Sequence, residues 1–146
     1  MEKTLKNCFK SGAIEAGFIG EAIAKHQNKT NIGAHQLFLG QVRADDIDGK
    51  IVQSIDYTAF EEMGNKVFHE IREAAFDRFD LVCMHIYHSL GIVKAGEICL
   101  FVFVSSKHRR MAQKALEYVV EEIKERAPVF GREIFEDQTH QWKVNT

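Results

Sequence analysis

Apolar and polar positions along the chain alternate between strand-like and helix-like periods. Glu97 to Val104 is apolar at every inner position, which predicts a strand buried on both faces. Leu81 to Tyr87 predicts a companion strand, with Gly91 and Gly96 marking a turn region between the two. Ala112, Ala115, Leu116, Val119, Val120 and Ile123 recur at the three-four spacing of a helix with one buried stripe, and Pro128 stops it. Met63, Val67, Ile71, Ala74 and Ala75 predict a helix running to about Phe79, opened by the capping-box spacing of Thr58-Ala59-Phe60-Glu61. A helix from Gly17 to His26 carries Phe18, Ile19, Ala22 and Ile23, weakened by Gly17 and Gly20. Gly33 to Arg43 and Ile51 to Tyr57 read as paired strands joined by Asp45-Asp46 and Asp48-Gly49. A short strand near Thr4 to Phe9 precedes them all, and Arg132 to Val144 closes the chain as a hairpin around Asp137-Gln138.

The resulting order is β-α-β-β-α-β-β-α-β-β. Helices interrupt strand pairs, so the expected class is α+β with a mostly antiparallel sheet packed against helices. With 146 residues, 45% of them hydrophobic, and no repeat or linker composition, residues 1–146 are expected to form a single domain. A net charge of -2 disfavours general nucleic-acid binding. Cys8, Cys83 and Cys99 form no even disulfide framework, and the second and third read as core filler. The absence of a membrane-length apolar run or a signal-peptide core points to the cytoplasm, with no membrane association.

Charge changes the picture at one place. Lys107-His108-Arg109-Arg110 follows the doubly buried strand and opens a long helix, with Ser105 and Ser106 as candidate capping residues. A helix N-terminus already carries partial positive charge, so four basic positions there are unfavourable without an anion. The segment is either a phosphate pocket or a solvated basic patch. His85 and His88 suggest a metal pair with Cys83, but strand alternation does not place all three on one face, and no metal is expected.

Several blocks together resemble the catalytic large subunit of molybdopterin synthase. They are Phe38-Leu39-Gly40-Gln41-Val42-Arg43; Tyr57 with Phe60-Glu61-Glu62-Met63; His88 with Leu90-Gly91; Gly96-Glu97; and Val102-Phe103-Val104-Ser105-Ser106-Lys107-His108-Arg109. Lys124-Glu125-Arg126-Ala127-Pro128-Val129-Phe130, Arg132-Glu133 and Trp142 complete the set. The resemblance implies an α/β-hammerhead-like fold and a sulfurtransferase of molybdenum cofactor biosynthesis. Such an enzyme places two sulfurs on cyclic pyranopterin monophosphate to form the molybdopterin dithiolene. The sulfur arrives as a thiocarboxylate on the C-terminal Gly-Gly tail of a small ubiquitin-like subunit, and no cofactor is required.

The resemblance also implies roles. Lys124 would be the catalytic lysine, acting by proton transfer, as a covalent participant, or by neutralising charge. Desolvation in the pocket would lower its pKa. Arg43, His108 and Arg109 would bind the phosphate or pterin, Gly131, Arg132 and Glu133 would line the substrate site, and Phe38 would form its wall. Bland readings stand beside these: Arg43 pairs with Asp45 or Asp46, and Lys124 is an exposed lysine at a helix C-terminus beside Glu121 or Glu125. Trp142, Ile134 and Phe135 are either partner groove or ordinary core.

His108 and Lys124 lie sixteen positions apart on one helix, roughly 24 Å at the helical rise. One small substrate does not reach both from the same chain. The expectation is a homodimer, within a heterotetramer, whose pockets each combine Lys124 of one protomer with His108 and Arg109 of its partner. One departure from the family stands out: the usual tryptophan and second pocket lysine read Phe130 and Gly131 here. Arg132 is the nearest residue able to supply the missing charge. A non-catalytic homologue that binds phosphate, pterin or a ubiquitin-like tail is the alternative.

Overall fold

The structure, a computed structural model, describes residues 5–144. Its elements in chain order are β1 (Phe9–Ser11), α1 (Ala16–His26), β2 (Ala34–Gln41), β3 (Asp46–Ile47), β4 (Lys50–Ala59), α2 (Glu61–Arg78), β5 (Cys83–Lys94), β6 (Ile98–Ser106), α3 (Arg109–Arg126), β7 (Val129–Phe135) and β8 (His140–Trp142). The strands run in the order β2-β6-β5-β4-β7-β8, with β1 added to β5 and β3 to β4. Every pairing is antiparallel except β1 with β5. This is the expected α+β arrangement. Among the described residues no helix is long and apolar enough to cross a membrane.

β6 is the doubly buried strand, with Cys99 through Ser106 all buried. Alternation sends its side chains into two cores. Leu100, Val102 and Val104 join Phe68, Ile71 and Ala75 of α2 and Ala115, Val119 and Ile123 of α3. Phe101 and Phe103 face the other way and pack with Ile19, Phe18, Ala22 and Ile23 of α1. The α3 stripe is the one its spacing predicts.

Six local expectations are corrected. β2 and β4, read as partners, do not pair: β2 lies against β6, and β4 lies between β5 and β7, because the doubly buried β6 and β5 take the centre of the sheet. Strand β1 begins at Phe9, where the apolar sequence had placed its end; Thr4 lies outside the described residues. The Thr58 capping box does not form, because β4 continues to Ala59 and Thr58 pairs with Phe130 of β7; α2 starts at Glu61 with no side-chain cap. Ser105 and Ser106 do not cap α3 either. They end β6 fully buried, where Ser105 Oγ meets His35 Nδ1 at 2.6 Å and Ser106 Oγ donates to the His108 carbonyl. His108 is the N-cap, again without a side-chain cap bond. β5 runs well past Tyr87 because Gly91, at φ +84°, bends the strand instead of ending it. Its first half pairs with β6, and after the bend Gly91–Lys94 pairs with Tyr57–Ser54 of β4. Finally, the Asp45–Gly49 connection contains the short strand β3.

The two-sided burial of β6 yields a stability prediction. Phe101 is fully buried, whereas its register partner Leu39 on the edge strand β2 is 44% exposed. Phe101→Ala should cost about 3–5 kcal/mol and Leu39→Ala about 1 kcal/mol or less, as read by urea unfolding. Equal costs would show that β6 is not sealed from both sides.

Candidate active site

Two adjoining clefts lie where α3 ends against the bent sheet. The first, about 320 Å³, is lined by Tyr57, His88, Leu100, Lys124, Gly131 and Trp142 among others. The second, about 250 Å³, is lined by Phe38, Arg43, Asp45, Ile55, Lys124 and Glu133 among others. Tyr57, Cys99, Lys124 and Lys143 border both.

Each wall residue is there for a structural reason. Lys124 occupies the last turn of α3, one position beyond buried Ile123, so the helix stripe buries its neighbour and turns Lys124 outward. Arg43 follows β2 and holds Asp45 at 3.2 Å in an exposed pair. Such pairs contribute about 0–1 kcal/mol, so Arg43 parts from Asp45 at little cost. Gly131 on β7 sits opposite Tyr57 on β4. A side chain at position 131 would begin 2.9 Å from Ile55 Cγ2 and 3.2 Å from Tyr57 Cε1, so the bare backbone is what lets the Tyr57 ring lie there. Glu133, two positions on, is buried and accepts a hydrogen bond from Gln141 Nε2 at 3.3 Å.

Arg132 stands outside both clefts. Strand alternation turns it away from Gly131 and Glu133, and it pairs with Asp56 across the β4–β7 ladder at 3.1 Å. The second amine is Lys143, which sequence reasoning missed. Its backbone N–H donates to the Gly131 carbonyl at 2.8 Å, fixing it beside the side-chain-free position. Cys99, taken as core filler, is buried but also faces both clefts. Of the last hairpin, Phe135 is core and Ile134 is half-buried, while Trp142 is 61% exposed at the cleft wall. Phe60 and Phe130 stack edge-to-face nearby at 5.7 Å, both exposed.

His108 and Arg109 stand at the opposite end of α3, an uninterrupted helix from Arg109 to Arg126. His108 lines a separate cleft with Thr30, Asp80 and Lys107. Within one chain these two residues and Lys124 are not brought together.

Burial decides the protonation of the inner wall. Desolvation, reinforced by the Cys99 thiol and the Glu133 carboxylate, pushes the Tyr57 hydroxyl well above its ordinary range. His88 is pushed down to about 4, chiefly by burial, with Lys124 adding repulsion and the Ser89 carbonyl opposing. That carbonyl accepts from His88 Nδ1–H at 2.8 Å, and the ring meets Tyr57 edge-on at 5.1 Å. Both groups are therefore neutral near pH 7.

The model of the MoaE protein family matches residues 15–126. The chain belongs to this family. It is 40% identical over 119 residues to a molybdopterin synthase catalytic subunit of Pyrococcus abyssi, covering 82% of this chain and 79% of that one. It is 38% identical over 121 residues to the same-named protein of Aspergillus fumigatus, spanning 83% of this chain but only 64% of that relative's length. The solved molybdopterin synthase of Staphylococcus aureus superposes with a TM-score of 0.83 at 27% identity, covering 97% of this chain and 99% of its own.

The buried imidazole makes stability pH-dependent. The ordinary histidine pKa is 6.5 and that of His88 is about 4, so between these values the unfolded chain binds a proton that the folded chain refuses. The contribution is complete above the ordinary value and is lost as pH falls toward the folded one, by up to about 1.4 kcal/mol per pH unit. Urea unfolding of wild type and His88→Gln across this window should show a shallower pH slope in the variant. Parallel slopes would locate the acid sensitivity elsewhere.

Proposed function

We propose that this protein is the catalytic subunit of molybdopterin synthase, a cytoplasmic sulfurtransferase acting as one domain. The observation that supports this most is the placement of Lys124 between two clefts, with Lys143 and Arg43 on their walls, in a chain of the MoaE family. The substrate is cyclic pyranopterin monophosphate, and the sulfur donor is the thiocarboxylated Gly-Gly tail of a small ubiquitin-like subunit.

The two clefts give the two reactants separate approaches to one amine. The tail enters beside exposed Trp142 and Phe130, whose rings flank its glycine pair while the Lys124 ammonium meets its thiocarboxylate. The pterin lies in the second cleft against Phe38, with Arg43 released from Asp45. The thiocarboxylate sulfur displaces oxygen from a substrate carbon, that oxygen leaving in protonated form, and water then cleaves the acyl–sulfur bond, which leaves the sulfur on the substrate and releases the tail as a carboxylate. Lys124 stabilises the developing negative charge and moves the proton, while Lys143 supplies the second fixed positive charge that Gly131 cannot. Buried Glu133 and neutral Tyr57 orient these groups.

The phosphate is gripped by His108 and Arg109 of a partner protomer, whose own Lys124 serves the other pocket of the homodimer. With a small subunit at each end the assembly is a heterotetramer. A fixed arginine and a histidine at a helix N-terminus suit a phosphate monoester.

Reconstituted conversion with purified thiocarboxylated small subunit and pterin precursor tests these roles. Lys124→Ala should lower turnover by about 10²–10³-fold and Lys143→Ala by about tenfold or more, with Arg132→Ala near wild type. Wild-type turnover in Lys124→Ala would remove the mechanism. A loss in Arg132→Ala matching that of Lys124→Ala would return the second charge to Arg132.

Mixing the inactive variants Lys124→Ala and Arg109→Ala tests the shared pocket. Random exchange makes half of the dimers mixed, each with one intact pocket, so activity should recover to about a quarter of wild type. No recovery in demonstrably mixed dimers would place both groups' functions within one protomer.

A further inference from the structure

A second group of chemistry-bearing side chains lies on the α1 face of the sheet, remote from the clefts. Cys83 and His85 sit two apart on β5 and so share a face, as alternation requires, while His88 points the other way into the Tyr57 wall. The third member, His26, is the last residue of α1. The ligand atoms of His26, Cys83 and His85 all lie within 4.8 Å of one another. Along β6, Ser105 is the register partner of Cys83, and Cys99 borders the clefts six residues away. The two sites are therefore roughly 20 Å apart at the strand rise.

We infer that His26, Cys83 and His85 form a binding site for a borderline-soft divalent transition-metal ion of the zinc class. The donor set is the chemistry such an ion selects: two imidazole nitrogens and one thiolate, leaving a fourth tetrahedral position for water. The hydrogen bonds already orient the ligands. The Ala22 carbonyl accepts from His26 Nδ1–H at 2.7 Å, which leaves the His26 Nε2 lone pair aimed at His85. A backbone carbonyl on the far nitrogen is how metal-ligating histidines are held. His85 Nε2 lies 2.9 Å from His26 Nε2 and supplies the shared proton, because its Nδ1 accepts from the Lys6 ammonium at 3.1 Å. Phe103 closes the floor, with ring centroids 4.9 Å from His26 and 6.4 Å from His85.

Tetrahedral coordination at ordinary bond lengths needs ligand–ligand separations of about 3.3–3.6 Å. The two imidazoles must part by a few tenths of an ångström and the widest gap must close by about one. The site already holds a cation nearby: Lys29 Nζ donates to Cys83 Sγ at 3.0 Å. Lys29 and Lys6 sit on long flexible stems, and Lys6 keeps a second partner in the Tyr87 hydroxyl at 2.8 Å. Binding therefore displaces Lys29 from sulfur, moves the His85 proton from Nε2 to Nδ1, and releases the Cys83 thiol proton to solvent. The bound ion would tie the end of α1 to β5.

Cobalt(II) titration of the full, tag-free chain under a non-thiol reductant tests this, with zinc competition and thermal unfolding as second readouts. One equivalent should produce a thiolate-to-cobalt charge-transfer band, displaced by zinc and retained in Cys8→Ser. The band should vanish in Cys83→Ser and weaken at least tenfold in affinity in His26→Gln, a change at a helix end that spares the core. Zinc should raise the unfolding temperature of wild type and not of His26→Gln. Lys29→Met, which removes the competing ammonium, should bind cobalt several-fold tighter. Absence of the band in wild type, or its persistence in Cys83→Ser, would overturn the site; weaker binding in Lys29→Met would overturn the displacement of Lys29 by the ion.

Discussion

The structure depends on one constraint: β6 must be covered on both faces and on both edges. A strand whose side chains are apolar above and below cannot lie at the surface of a sheet. Its backbone groups are satisfied by β2 on one edge and β5 on the other. Its two faces demand separate covers, which α2 and α3 supply on one side and α1 on the other. The position of every helix follows. Because α3 leaves directly from the end of β6 and packs back along it, its C-terminal turn arrives beside the first residues of the same strand. Lys124 of α3 and Cys99 of β6 thereby meet at one cleft wall although they are far apart in sequence.

Burial was legible where a residue's own periodicity carried it. The β6 run and the α3 stripe each follow from spacing alone, since apolar surface has one favourable destination. Capping was misread where the polar residue had a stronger commitment. Thr58 is held by the β4–β7 ladder, and Ser105 and Ser106 by burial at the end of β6, so none was available to a helix. Gly91 shows a different ambiguity. Positive φ serves a turn or a bend equally, and the choice is set by whether a partner strand waits beyond it; here β4 does.

The candidate site divides along the same line. Arg43, Phe38, Lys124, Gly131 and Glu133 gather around the paired clefts. Arg132 stands outside both clefts by a rule the sequence already supplies: neighbours on a strand face opposite ways, so its side chain leaves on the side away from Gly131. Lys143 carried no such signal. It lies in a short polar tail, and only the β7–β8 hairpin, turned at Gln138 with φ +71°, folds it back onto the Gly131 carbonyl. An amine at 143 brought beside a bare backbone at 131 is a three-dimensional proximity that linear spacing does not record.

The inner wall explains why amines can dominate this cleft. A phenol, an imidazole and a thiol line it, each able to carry charge in water, yet Tyr57 is driven up and His88 down by the same desolvation. Both are held in their neutral forms, where they donate and accept hydrogen bonds without competing for an anion. Opposite charge comes from Asp45, Glu125 and Glu133, of which Asp45 is engaged with Arg43 and Glu133 is sealed beneath Gln141. A low-dielectric floor that cannot reorganise its charge therefore lies beneath a rim that carries Lys124 and Lys143. Electrostatic stabilisation of this kind is strongest where the surrounding dipoles are already fixed, and the two-sided burial of β6 is what fixes the floor.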